Sequence, residues 1–173
     1  MSYIKEQLSH KQSKTIRDDI VHYIYEDPKR MEELMECFFT GAYRINQYAS
    51  WPVGIIGQER PELIEPYLTQ MIDVLESPAH DAIVRNTIRI LQWVSIPEAL
   101  EGRIYDYCFQ YLNDTKKPVA IRVFAMSVLT RLAMKYPELK EELIQSIERY
   151  YPDGSPGYQS RAKKEINRLK KGG

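Results

Sequence analysis

An arginine returns along this chain at intervals close to forty residues. It stands in the near-matching triplets Ala42-Tyr43-Arg44, Ile83-Val84-Arg85, Ala120-Ile121-Arg122 and Gln159-Ser160-Arg161, spaced 41, 37 and 39 residues apart. A unit of that length holds two helices and buries its apolar face only by stacking on its neighbours, so the period constrains the fold more than any single motif. The clearest copy is Leu63 to Ile96. Leu63, Tyr67, Leu68, Met71, Ile72 and Leu75 recur at helical spacing before Ser77-Pro78, and Ile83, Val84, Ile88, Leu91 and Val94 recur after it. Leu75 and Leu112 stand ten residues before Arg85 and Arg122, and Tyr151 stands ten before Arg161.

The rest of the chain follows the same rhythm. A weakly apolar lead-in helix (Tyr3, Ile4, Leu8) precedes Ser13, which is placed to cap a helix over 14–27. Pro28 opens the next helix, which Gly41 ends at Thr40. The helix over 42–58 contains Pro52, which removes a backbone bond and predicts a bent or split element. Pro97, Pro118 and Pro137 mark later boundaries, and Pro152-Asp153-Gly154-Ser155-Pro156-Gly157 is a loop before a last helix over 158–171. No strand or hairpin signal interrupts them. The expected fold is an all-α, right-handed α-α superhelix in one domain, residues 1–173. A half-repeat over 1–27 is followed by about four helix pairs, 28–60, 61–97, 98–137 and 138–171.

The stretch Leu63 to Ile96 resembles a HEAT repeat, an armadillo-like unit, and the pattern covers about residues 28–171. The resemblance implies a solenoid whose second helices line a concave face and whose first helices form the convex back. It also implies an Asp in the turn that pairs with the second-helix Arg of a neighbouring repeat. Six residues before Arg85 and Arg122 stand Ala79 and Lys116, so that ladder is incomplete or rerouted through Asp81 or Asp114.

Composition narrows function mostly by exclusion. His10, His22 and His80 have no metal-ligand spacing, no Cys lies within reach of them in sequence, and no phosphate-cradling glycine loop or nucleophile motif is present. His22 reads as a partly buried histidine, and His80-Asp81 as the cap of a helix. Cys37 and Cys108 read as reduced core thiols. No apolar run is long enough to cross a bilayer and no signal peptide opens the chain, so a cytoplasmic protein without catalytic, metal or cofactor site is expected.

The formal charge of zero hides a segregation. The second-helix segments 42–58, 82–96 and 118–136 contain no Asp or Glu, but carry Arg44, Arg85, Arg89, Arg122, Arg131 and Lys135. The first helices are acidic. On a helical wheel Asn86, Arg89 and Trp93 fall opposite Val84, Ile88, Leu91 and Val94, and Arg89 and Trp93 form an i,i+4 cation–ring pair. Tyr48 and Trp51 stand near Arg44 one repeat earlier. Recurrence assigns Arg44, Arg85 and Arg122 first to the fold, and Arg89 is the residue the repeat least requires. The expected function is a non-enzymatic interaction module. It would hold an acidic peptide or protein segment on Tyr48, Trp51, Asn86, Arg89, Trp93, Arg122 and Arg131. The alternative is nucleic-acid binding or repair, because a basic, aromatic concavity is similar in composition to that of the HEAT-like alkylpurine DNA glycosylases. Those enzymes place a carboxylate at the damaged nucleotide, which the acid-free helices do not offer.

Overall fold

The computed structural model describes residues 2–77 and 80–172, so Pro78 of the expected Ser77-Pro78 joint and the Ala79 ladder position lie outside the described residues. Among the described residues the chain is all-α, with ten helices and no strand. Packing divides it into two compact units, Met1–Ser95 and Ile96–Gly173, a boundary that falls between the second and third expected helix pairs.

The first unit holds α1 (Tyr3–Ser9), α2 (Lys14–Glu26), α3 (Met31–Thr40), α4 (Tyr43–Glu59), α5 (Leu68–Val74) and α6 (Asp81–Ile90). Its centre is α4, which packs on α1, α2, α3 and α6. The Ser13 hydroxyl accepts from Ile16 N–H at 3.2 Å, as expected of an N-cap, and the Asp27 carboxylate caps the 3-10 turn Pro28–Arg30 through Lys29 N–H. Gly41 does close α3, but not in the left-handed conformation usual after a helix: its φ is −64°. The position needs glycine because a Cβ there would lie 2.6 Å from the Cys37 carbonyl oxygen and from Ile45 Cγ2. Helix α4 runs unbroken through Pro52, which is buried, so the helix is not split.

One element departs from expectation. The first helix of the Leu63 repeat is not continuous; two 3-10 turns, Pro61–Leu63 and Glu65–Tyr67, precede a short α5. Pro66 is the cause, since it has no N–H to donate and disfavours helical geometry at the residue before it. The apolar face survives all the same, with Ile64, Leu68, Met71, Ile72 and Leu75 buried.

The second unit holds α7 (Glu98–Asn113), α8 (Val119–Lys135), α9 (Lys140–Arg149) and α10 (Pro156–Lys171). Here α8 is central and packs on α7, α9 and α10. Helices α8 and α10 are tied by a polar relay through buried Glu165. Arg161 Nη1 donates to Ser127 Oγ at 2.6 Å, Ser127 Oγ donates to Glu165 Oε1 at 3.2 Å, and Arg168 Nη1 donates to Glu165 Oε2 at 3.1 Å. Tyr158, at the start of α10, is buried and donates its hydroxyl to the Ile147 carbonyl at 2.9 Å; burial pushes its pKa up to about 12. Both cysteines are free and buried, on α3 and α7. Burial drives the Cys108 thiol pKa upward, as a core thiol requires.

Candidate partner-binding face

Helices α4 and α6 run side by side in the same direction. Gly54 faces Asn86, and Gly57 faces Ile90 one turn further on. A Cβ at Gly54 would stand 3.0 Å from Asn86 Oδ1, and one at Gly57 would overlap the Ile90 side chain. The Gly54-x-x-Gly57 spacing is therefore what lets the two second helices approach, much as small residues do wherever helix backbones come close.

That approach corrects the wheel reading of Asn86. The residue is buried at the α4 contact and does not face outward. Helix α4 covers one flank of α6 in addition to the side that α6 turns to the core, so the exposed stripe of α6 is narrower than half its circumference. Beyond Asp81 in its first turn, what α6 leaves exposed is Arg85, the partly exposed Arg89, and Trp93 in the turn beyond its end.

Five of the seven expected residues, Tyr48, Trp51, Asn86, Arg89 and Trp93, fall on α4, on α6 and in the turn that follows α6, with Asn86 buried among them. Trp51 is 38 % exposed and Trp93 is 39 % exposed, far more than is usual for indoles. Each ring carries a guanidinium. Arg89 Cζ lies 5.9 Å from the Trp93 ring centre, the pair foreseen from spacing, and Arg17 Cζ of α2 lies 4.9 Å from the Trp51 ring centre. Arg89 also donates from Nη2 to Gln58 Oε1 of α4 at 3.1 Å, which fixes it across the two helices. Arg17 is shared with Asp18 at 2.7 Å, so the Trp51 end of the face is not purely basic. Tyr48 is half-buried on the same stripe of α4 as exposed Arg44, at i,i+4. Arg44 and Arg85 are exposed, and neither has a carboxylate partner among the described residues.

The remaining two expected residues belong to the second unit, and their settings differ. Arg122 is 8 % exposed. Its Nε and Nη2 both donate to the Leu112 carbonyl, at 3.1 and 3.0 Å, and its Cζ lies 4.9 Å from the Tyr150 ring and 5.0 Å from the Tyr158 ring. It is a buried cap on the C-terminal end of α7, where carbonyls lack helical partners and the dipole favours a cation. This corrects its assignment to a binding surface: every donor edge that the fold uses points inward. Arg131 is half-buried, and desolvation lowers its pKa.

Two histidine readings part ways. His80 does cap α6, its Nδ1 accepting from Ala82 N–H at 3.1 Å, with its ring edge-on to Tyr43 at 4.6 Å. His22 is exposed, not partly buried. The acid-free segments also end sooner than the helices do: α4 closes on Glu59, which accepts from the Tyr25 hydroxyl at 2.8 Å, and α6 opens on Asp81. Sequence reasoning missed Arg17, Gln58 and the Gly54–Gly57 pair as parts of this face. Two glycines three apart in an otherwise apolar helix were the available signal for the last.

No group of three or more His, Cys, Asp or Glu among the described residues is arranged to hold a metal ion, and no helix among them is long and apolar enough to cross a membrane. No curated protein and no solved structure matches the chain. The profile of the HEAT repeat domain does match, over residues 4–169 and so across α1 to α10, and the chain belongs to the HEAT repeat family.

Proposed function

We propose that this chain is a non-enzymatic protein-interaction module whose first unit holds an acidic peptide or protein segment across α4 and α6. HEAT repeats commonly serve as scaffolds for protein interaction, and this supports the general reading. The observation that carries the finer one is the pairing of two exposed indoles with guanidinium groups, beside two arginines that have no carboxylate partner among the described residues. Tryptophan and arginine are the residues that most often dominate binding energy at protein interfaces. An arginine fork gives a carboxylate two parallel charge-assisted bonds, while the ring beside it supplies apolar contact area.

The test is capture from a native cell extract by the immobilised chain, compared with Arg89→Glu/Trp93→Ala and with Arg85→Glu. Arg85 is exposed and has no carboxylate partner among the described residues, so its reversal should leave the fold intact and change only the field of the face. Loss of one anchor of this kind costs about 2 kcal/mol, or roughly thirtyfold in affinity, so the captured acidic partner should be all but absent from the double variant. Undiminished capture by the folded double variant would remove the face from consideration. Retention of nucleic acid in place of protein, weakening steeply with salt, would assign the arginines to phosphate instead.

A further inference from the structure

The second unit carries a separate cavity of about 440 Å³, where α7 passes the end of α8 and the 3-10 turn Pro137–Leu139. Its walls are aromatic and aliphatic, with Tyr105 and Tyr136 beside Leu132 and Leu139. Its charge is of one sign. Glu98, Glu101 and Asp106 line it from α7 and Glu138 from the turn, and Lys135, which is not part of the wall, pairs with Glu101. Lys135 Nζ and the Tyr136 hydroxyl both donate to the same oxygen of Glu101, at 2.9 and 3.0 Å. Glu101 is nearly buried, and these two donors hold its pKa below the usual range. Glu98, Asp106 and Glu138 have no ion-pair partner among the described residues.

Two further features of this cavity lack any purpose internal to the fold. The Tyr105 hydroxyl is buried and has no hydrogen-bond partner among the described residues, which is uncommon for a polar atom out of reach of water. Gly102 lines the cavity from the middle of α7, where glycine costs about 1 kcal/mol relative to alanine. No close approach explains it, for a Cβ there would meet nothing within 4 Å. Its bare backbone widens the opening and does nothing for packing.

We propose that this cavity is a docking site for an arginine side chain from a basic segment of a partner protein. The carboxylates stand around an aromatic hole and are not gathered tightly enough to hold a metal, which fits an extended organic cation. A guanidinium presents five donors, enough for more than one carboxylate, and its flat face stacks on tyrosine. The volume is that of a small-ligand pocket, so it admits the side chain with some of its neighbouring backbone.

The experiment is an NMR titration of the ¹⁵N-labelled full chain with the capped peptide Ala-Leu-Arg-Leu-Ala. Its uncharged counterpart, with citrulline for arginine, and free arginine are run beside it. The expected result is saturable movement of the Gly102 amide and of amides around Tyr105 and Tyr136, with at least tenfold weaker binding of the citrulline peptide. Gly102→Leu should abolish the shifts while keeping or raising the unfolding temperature, since leucine is the better helix former and meets no neighbour. Glu98→Gln/Glu138→Gln should weaken binding about tenfold. Equal shifts with citrulline, or none at Gly102 up to about 10 mM peptide, would overturn the proposal. Free arginine binding as well as the peptide would make this a small-molecule site and overturn the docking role.

Discussion

Replacing Arg122 with alanine lowers the stability of this protein by about 3 kcal/mol, read as a lower urea midpoint in far-UV circular dichroism. Three losses add up. The side chain leaves a cavity between Tyr150 and Tyr158, the cation–ring contacts vanish, and the Leu112 carbonyl loses both donors. Part of this is offset, because a buried charge no longer has to be desolvated. The offset separates the contributions. Arg122→Met keeps most of the volume and removes the charge, so its loss should be about 1 kcal/mol. Arg122→Lys keeps the charge but loses the fork and the flat stacking surface, and should be worse than methionine. An unchanged midpoint for the alanine variant would mean that the guanidinium is not the cap of α7.

A second large effect is expected in the first unit. Gly57→Val destabilises by about 3 kcal/mol, because a branched Cβ is forced into the Ile90 side chain at the α4–α6 contact. Gly57→Ala should cost less, about 1–2 kcal/mol, and the cost should shrink when Ile90 is also cut back to alanine. A double-mutant cycle on these two positions checks the claim directly: a coupling energy near zero would show that the helices can separate without penalty. Both tryptophans lie in this unit, on helix α4 and just beyond α6, so their fluorescence follows its unfolding.

The repeat was legible because it is written in spacing. The four arginines of the period fall on α4, α6, α8 and α10, and Pro97, Pro118 and Pro137 stand at helix boundaries. Where the reading failed, the cause lay in what a neighbouring element does. Pro66 stands inside an apolar period that continues across it, so the period alone does not show the break. Arg85 and Arg122 occupy equivalent positions, each ten residues after a leucine, and one is exposed while the other is buried. The distinction was present further along the chain. The residues 28 and 36 beyond Arg122 are Tyr150 and Tyr158, which sandwich it, whereas those beyond Arg85 are Asn113 and Ile121. Asn86 shows the other limit. A wheel assigns faces from a single helix, and the second flank that α4 covers is decided by two glycines on another helix.

Much of the candidate face was readable for the same reason. Arg89 and Trp93 are neighbours by helical spacing alone, so their contact needed no tertiary information. The Arg17–Trp51 contact joins α2 to α4, and no local pattern could have announced it.

The face itself is best tested by iodide quenching of intrinsic fluorescence, because the chain's only two tryptophans are the two indoles on it. Guanidinium groups over both rings should draw the anion in, so iodide should quench more strongly than caesium. Adding a short glutamate-rich peptide with one central phenylalanine should then protect the indoles saturably, and the protection should disappear in Arg44→Glu/Arg85→Glu/Arg89→Glu. If the peptide gives no protection, or protects the charge-reversed variant equally, α4 and α6 do not form a face for acidic partners.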